Sequence, residues 1–149
     1  MDDVQRILVV SRSTKSCRKA IHYGISLSRK YGAQLYVFQV IPDPWERWNL
    51  PILNLRSIQE GYKAMQQEAK LELDAIIDTE KAKGMAIKEL IREGDPADEV
   101  FKVVEEEKID LIIMLAHGEG CLEHLLFGHD KEKITRKMPC SVLLVREEL

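Results

Sequence analysis

The chain has 149 residues, 45% of them hydrophobic and 32% charged, with a formal net charge of −3. That length and balance fit one domain with a sizeable core, read here as residues 1–149. They offer no basic stripe for nucleic acid, and no apolar run of the ~18–20 residues that cross a bilayer. The opening MDDVQRILVV lacks the charged, apolar and cleavage regions of a signal peptide. A cytoplasmic location is therefore expected, without nucleic-acid or membrane partners.

Arg6–Val10 is a short β-branched run and reads as the first strand, followed by the polar turn Ser11–Thr14. From Ser16 to Tyr31 the residues Ala20, Ile21, Tyr23, Ile25 and Leu27 predict a helix with one buried face, stopped by Gly32. Gln34–Ile41 is the second strand, closed by Pro42-Asp43-Pro44. Residues 42–56 form an irregular stretch holding Trp45 and Trp48. It is read as a loop whose aromatics tuck onto the domain, or as a mobile cover or partner patch. A long helix follows over Ser57–Lys83, with Ile58, Tyr62, Met65, Ala69, Leu73 and Ile76 on one side and Gly84 at its end. Ala86–Arg92 alternates apolar and polar residues, which predicts a third strand exposed on one face. Asp95 suits an N-cap and Pro96 the first turn of a helix over Ala97–Glu107, with Val100, Val103 and Val104 inward and Glu105–Glu107 solvated.

Ile109–Leu115 is almost wholly apolar, as expected of a parallel strand covered on both faces. Gly118 turns the chain. Gly128 precedes Asp130, a candidate N-cap for a helical run with Ile134 and Met138 that ends at Pro139, and Ser141–Val145 is the last strand. Five strands alternating with four helices, without hairpin signals, predict an α/β domain: a doubly wound, Rossmann-like parallel sheet with helices on both faces. In such sheets ligands sit beyond the C-terminal ends of the strands where the winding reverses. That places the candidate site at Val10–Thr14 and Leu115–Gly118.

Three stretches resemble the universal stress protein (UspA-type) family: ILVV in the first strand, REGDPADEV at the helix entry, and IDLIIMLAHG…LLFG…KITRKMPCSVLLV to the end. The resemblance implies the adenine nucleotide alpha hydrolase-like strand order 3-2-1-4-5, a homodimer, a cytosolic role in stress response, and ATP with magnesium as the ligand to test. The nucleotide-binding branch of that family carries a loop G-x2-G-x9-G-[S/T], in which glycines let backbone N–H groups approach phosphates and the hydroxyl adds a donor. Those positions here are Leu115, Gly118, Gly128 and His129, so the two middle glycines are kept and the outer positions differ. The family's nucleoside-contacting aspartate aligns with Arg12 and the following glycine with Ser13, while Val40 agrees with the adenine-side valine. His117 stands where the family commonly has histidine. The nucleotide-site candidates are thus Val10, Ser11, Arg12, Val40, Leu115, His117, Gly118, Gly128 and His129. Leu115 takes space that a glycine leaves open, whereas Arg12 and His129 favour phosphate by charge.

His117, Cys121, His124 and His129 lie close in sequence, but their spacing matches no standard zinc site. Cys121 is read as a weakly polar loop filler and Cys140 as a core residue. With Cys17 they make three cysteines and no CxxC, so neither a disulfide framework nor a metal centre is expected. No catalytic motif is present, and hydrolysis, if any, is expected to be slow. Ser141, Val142, Leu143, Leu144 and Val145 form an apolar edge strand, the candidate dimer interface. Three functions remain open: a regulatory dimer with a degenerate nucleotide site that acts through a partner protein, an ATP-binding switch with slow hydrolysis or autophosphorylation, and a binder of another small anion.

Overall fold

The computed structural model of the chain describes residues 3–11, 18–41, 55–93, 96–116 and 139–146. Within them the elements are β1 (Arg6–Ser11), α1 (Arg18–Tyr31), β2 (Gln34–Ile41), α2 (Leu55–Ala82), β3 (Ile87–Glu93), α3 (Pro96–Glu107), β4 (Leu111–Ala116) and β5 (Ser141–Arg146). The strands form one parallel sheet in the order β3-β2-β1-β4-β5, as expected. The Trp45/Trp48 stretch, Asp95 and the helix expected from Asp130 lie outside the described residues.

Strand pleating sends alternate side chains to opposite faces, and each face has its own core. Ile7, Val9, Leu35, Val37, Ile113, Leu115 and Val145 pack with Ala20, Ile21 and Ile25 of α1 and with Leu73 and Ile77 of α2. Leu8, Val10, Tyr36, Phe38, Ile112 and Met114 pack with Val100, Val103 and Val104 of α3. The central strands are covered on both sides, which is why they read as unbroken apolar runs.

The buried stripe of α1 is Ala20, Ile21, Gly24, Ile25 and Ser28, a strict three-to-four spacing. Tyr23, expected inward, is 45% exposed, because its position falls off that stripe. Gly24 is required by close approach: a Cβ there would collide with Cγ2 of Val9 and lie 3.2 Å from Cδ1 of Leu35. In α2 the fully buried place is taken by Ile77, with Ile76 only partly buried.

All three described helices end in the same cap. The amide of the second residue past α1 and α3, and of the third past α2, bonds back to the carbonyl five residues earlier: Ala33 to Ser28 at 3.0 Å, Ile109 to Val104 at 3.1 Å and Met85 to Glu80 at 3.1 Å. The residue before each amide has positive φ: Gly32 at 64°, Gly84 at 93° and Lys108 at 53°. Ile109 is therefore not the start of a strand, as its apolar run suggested. It is a cap residue packed with Val104, and β4 begins at Leu111. Asp110 then fixes the lower end of the central strands: its carboxylate accepts the N–H groups of Gln5 and Arg6 at 2.9 and 2.8 Å.

The expected single wet face of β3 is also revised. Lys88 donates to Glu107 at 3.0 Å and Arg92 to Glu106 at 3.1 Å, so part of the acidic end of α3 is tied to this edge. On the other face Glu89 meets Asp74 of α2, and its carboxyl is held above the usual range by burial and by that neighbour.

Candidate functional site

At the upper end of the sheet the pairing of the two central strands ends before that of their outer neighbours. β1 pairs with β2 as far as Ser11↔Gln39, and β4 pairs with β5 as far as Ala116↔Arg146. Between β1 and β4 the pairing stops at Val9↔Ile113. The two central strands continue past that point, β1 still paired with β2 and β4 with β5. This is also where the strand order reverses, the position at which ligands enter open parallel sheets.

Continuing the register two residues beyond Val9↔Ile113 brings Ser11 level with Leu115. A row therefore crosses the sheet on its α1–α2 side: Ile91, Gln39, Ser11, Leu115 and Val145. On the opposite side Val10 and Met114 are 1% and 0% exposed and belong to the α3-side core. The strand ends thus bury an apolar pair on one side and a hydroxyl with a carboxamide on the other.

The structure brings Val10, Ser11 and Leu115 together at this end of the sheet. Val40 lies in β2, paired with Arg92, and its side chain is not described. Arg12, His117, Gly118, Gly128 and His129 lie outside the described residues, as do Cys121 and His124. Leu115 is 3% exposed and packs in the core beneath α1, facing the same way as Ile113 and Val145. Sequence reasoning missed Gln39, which is 5% exposed at the strand end. The signal was available: Gln39 is the polar residue within LYVFQVI.

The two sheet edges differ. β3 presents Lys88, Glu89 and Arg92, and such charges discourage pairing with another strand. β5 reads SVLLVR, with Leu144 46% exposed, Val142 and Leu143 partly buried, and Ser141 exposed. Val145 is 3% exposed and belongs to the core. Cys140, just before β5, is partly buried, and its thiol is pushed up to about 11 by burial and then by the Asp110 carboxylate. It is not an activated nucleophile. No helix among the described residues is long and apolar enough to cross a membrane.

The sequence profile of the universal stress protein family matches residues 3–146. A universal stress protein of Methanothermobacter thermautotrophicus is 42% identical over 62 residues, which is 42% of this chain and 42% of that protein. Universal stress protein MJ0577 of Methanocaldococcus jannaschii is 32% identical over 84 residues, 56% of this chain and 52% of that protein. The chain thus spans about half, or less, of the length of these two relatives. The solved structure of MJ0577 superimposes with a TM-score of 0.68 over 99% of each chain at 22% identity. A universal stress protein family member from Arabidopsis thaliana, solved with AMP bound, superimposes with a TM-score of 0.59 over 97% of this chain and 92% of that one at 15% identity. At these identities the structural likeness shows the fold alone.

Proposed function

The chain belongs to the universal stress protein family, and from that premise we propose that it is a cytoplasmic, single-domain regulatory protein that binds an adenine nucleotide at the open strand ends. The observation that carries the reading is the loss of β1–β4 pairing beyond Val9↔Ile113. It falls at the strand-order reversal, where ligands enter open parallel sheets, above strand ends whose side chains Val10, Met114, Ser11 and Gln39 are buried. The AMP bound by the Arabidopsis relative supports this ligand class.

The phosphate side of the site departs from the family's loop at Leu115 and His129, and Arg12 replaces the aspartate. Binding then draws on the base more than on a phosphate chain, and the protein acts as a sensor without a catalytic step. Titration calorimetry with AMP and with ATP and magnesium tests this. Comparable affinity for the two supports it, and heat from neither removes it.

A second reading is favoured by those same substitutions at positions 12, 115 and 129: a degenerate site in a domain that works through a partner protein. Silence toward both nucleotides is the result it requires.

The proposed assembly is a homodimer through β5. The support is the contrast between the charged β3 edge and the apolar β5 edge with Leu144 exposed. Two-fold antiparallel pairing of β5 strands would satisfy the free edge groups of both copies. Sedimentation of the wild type against Leu144→Lys checks it: the dimer dissociates in the variant, and an unchanged dimer sinks the β5 interface.

A further inference from the structure

α1 carries the basic residues Arg18, Lys19, Arg29 and Lys30, together with His22, and no aspartate or glutamate, in a chain whose net charge is −3. Its stripe of Ala20, Ile21, Gly24, Ile25 and Ser28 is buried against the sheet. The opposite stripe, at the same three-to-four spacing, is Lys19, His22, Tyr23, Ser26 and Lys30, and all but the half-buried Lys19 are exposed. Two open grooves of about 420 Å³ each lie along it. Lys19, His22, Tyr23 and Ser26 line one, and His22, Ser26, Arg29, Lys30 and Glu80 border the other. Because they share His22 and Ser26, they make one track along the helix.

A solvated helix face ordinarily balances its cations with acids three or four residues away, and α1 has none. The balance comes from α2 and is incomplete. Glu72 lies 3.6 Å from Arg18, while Glu80 is shared between Arg29 and Lys83, the latter at 3.5 Å. Lys19 has its own contact in the fold. The acidic end of α3 is different, for Lys88 and Arg92 answer Glu107 and Glu106 there. Midway along the α1 track stands the Tyr23 ring, 45% exposed. The track thus joins an excess of positive charge to an aromatic anchor.

We propose that this outward track of α1 is a docking surface for an acidic peptide segment of a partner protein, with carboxylates on the Arg29 and Lys30 side and an apolar side chain against Tyr23. Charge complementarity selects the occupant. Two-fold contact with a second copy would set like charges against each other. Nucleic acid calls for a longer basic stripe with several phosphate contacts. The inference is independent of the nucleotide reading above.

The test is selection of a random displayed peptide library on the immobilised full chain, followed by fluorescence anisotropy of the most enriched synthetic peptide. Peptides with several Asp or Glu around an aromatic or long apolar residue are expected. Lys30→Glu should weaken such a peptide about tenfold and Tyr23→Ser about fivefold. Melting temperatures should stay close to that of the wild type, because both side chains are exposed. Ser26→Lys adds a cation between His22 and Lys30 and should tighten binding about threefold, a gain that unfolding cannot produce. Enrichment of neutral or basic peptides, or of none, overturns the proposal. So does an acidic peptide bound equally by the wild type and all three variants, which places it elsewhere on the chain. A short oligouridylate that binds more tightly than the peptide and is lost in Lys30→Glu overturns the peptide occupant. Self-association abolished by Lys30→Glu gives the face to a second copy and likewise overturns it.

Discussion

Leu115 is paired with Val145 on the neighbouring strand, and both are 3% exposed in the core beneath α1. The residue that aligns with the first glycine of the family's loop is therefore a core side chain. Leu115→Gly removes a buried leucine and loosens a strand, and is expected to cost about 3 kcal/mol or more of stability. Denaturant unfolding checks this. A loss below about 1 kcal/mol would mean that the side chain is not held in the core.

Lys108 occupies the cap position that Gly32 and Gly84 fill at the other two described helix ends, with φ of 53°. A β-carbon is disfavoured in that conformation by roughly 1–2 kcal/mol. Lys108→Gly is expected to raise stability by about 1 kcal/mol, seen as a higher melting temperature. The same change at an ordinary helical site such as Lys102 should lower it. Destabilisation by Lys108→Gly would contradict the cap.

The pattern of the chain showed most of the fold and less of the site. β2 was bounded at Gln34–Ile41 by the Gly32 stop before it and Pro42 after it, as observed. The core positions of α3 were legible because Val100, Val103 and Val104 repeat at helical spacing. The run from Ile109 to Leu115 misled, since an unbroken apolar stretch carries no period and hides the point where a helix cap becomes a strand. Tyr23 misled because an apolar residue beside the buried stripe looks like part of it. The point where β1–β4 pairing stops is set across the sheet, and no local pattern in β1 or β4 records it. Gln39 was visible as a polar residue in an apolar strand, but its neighbour Ser11 is set by register with a distant part of the chain, as their pairing shows.

Glu89 on β3 faces Asp74 on α2, and its carboxyl is raised first by burial, then by that neighbour, against the opposing pull of Lys81 and Lys70. A raised carboxyl favours the fold below its unfolded pKa and works against it as pH rises through the folded value. Glu89→Gln should therefore raise stability near pH 7, by under about 1 kcal/mol at this well-solvated position. The gain should vanish near pH 4. Melting curves at the two pH values decide it, and a gain that is larger at pH 4 would reverse the assignment.

The Cys140 thiol, at about 11, is well above its ordinary value. Its thiolate fraction at pH 8 is then lower than that of a free cysteine by roughly a hundredfold. In a Cys17→Ser/Cys121→Ser background, labelling of the folded protein by a thiol reagent should be slower by about that factor and recover on unfolding. Because the folded pKa is raised, the stability it brings is full below the unfolded value and is lost as pH climbs toward 11. Labelling at the rate of a free thiol would contradict the buried environment.

The most direct measurement of the central claim is amide chemical-shift mapping of the full chain on addition of AMP. A site at the open strand ends predicts shifts clustered at Val10, Ser11, Gln39, Val40, Leu115 and Ala116, with the lower strand ends at Arg6, Gln34 and Leu111 unmoved. Shifts confined to the outer faces of α1 or α3, or no shifts at saturating AMP, would contradict it.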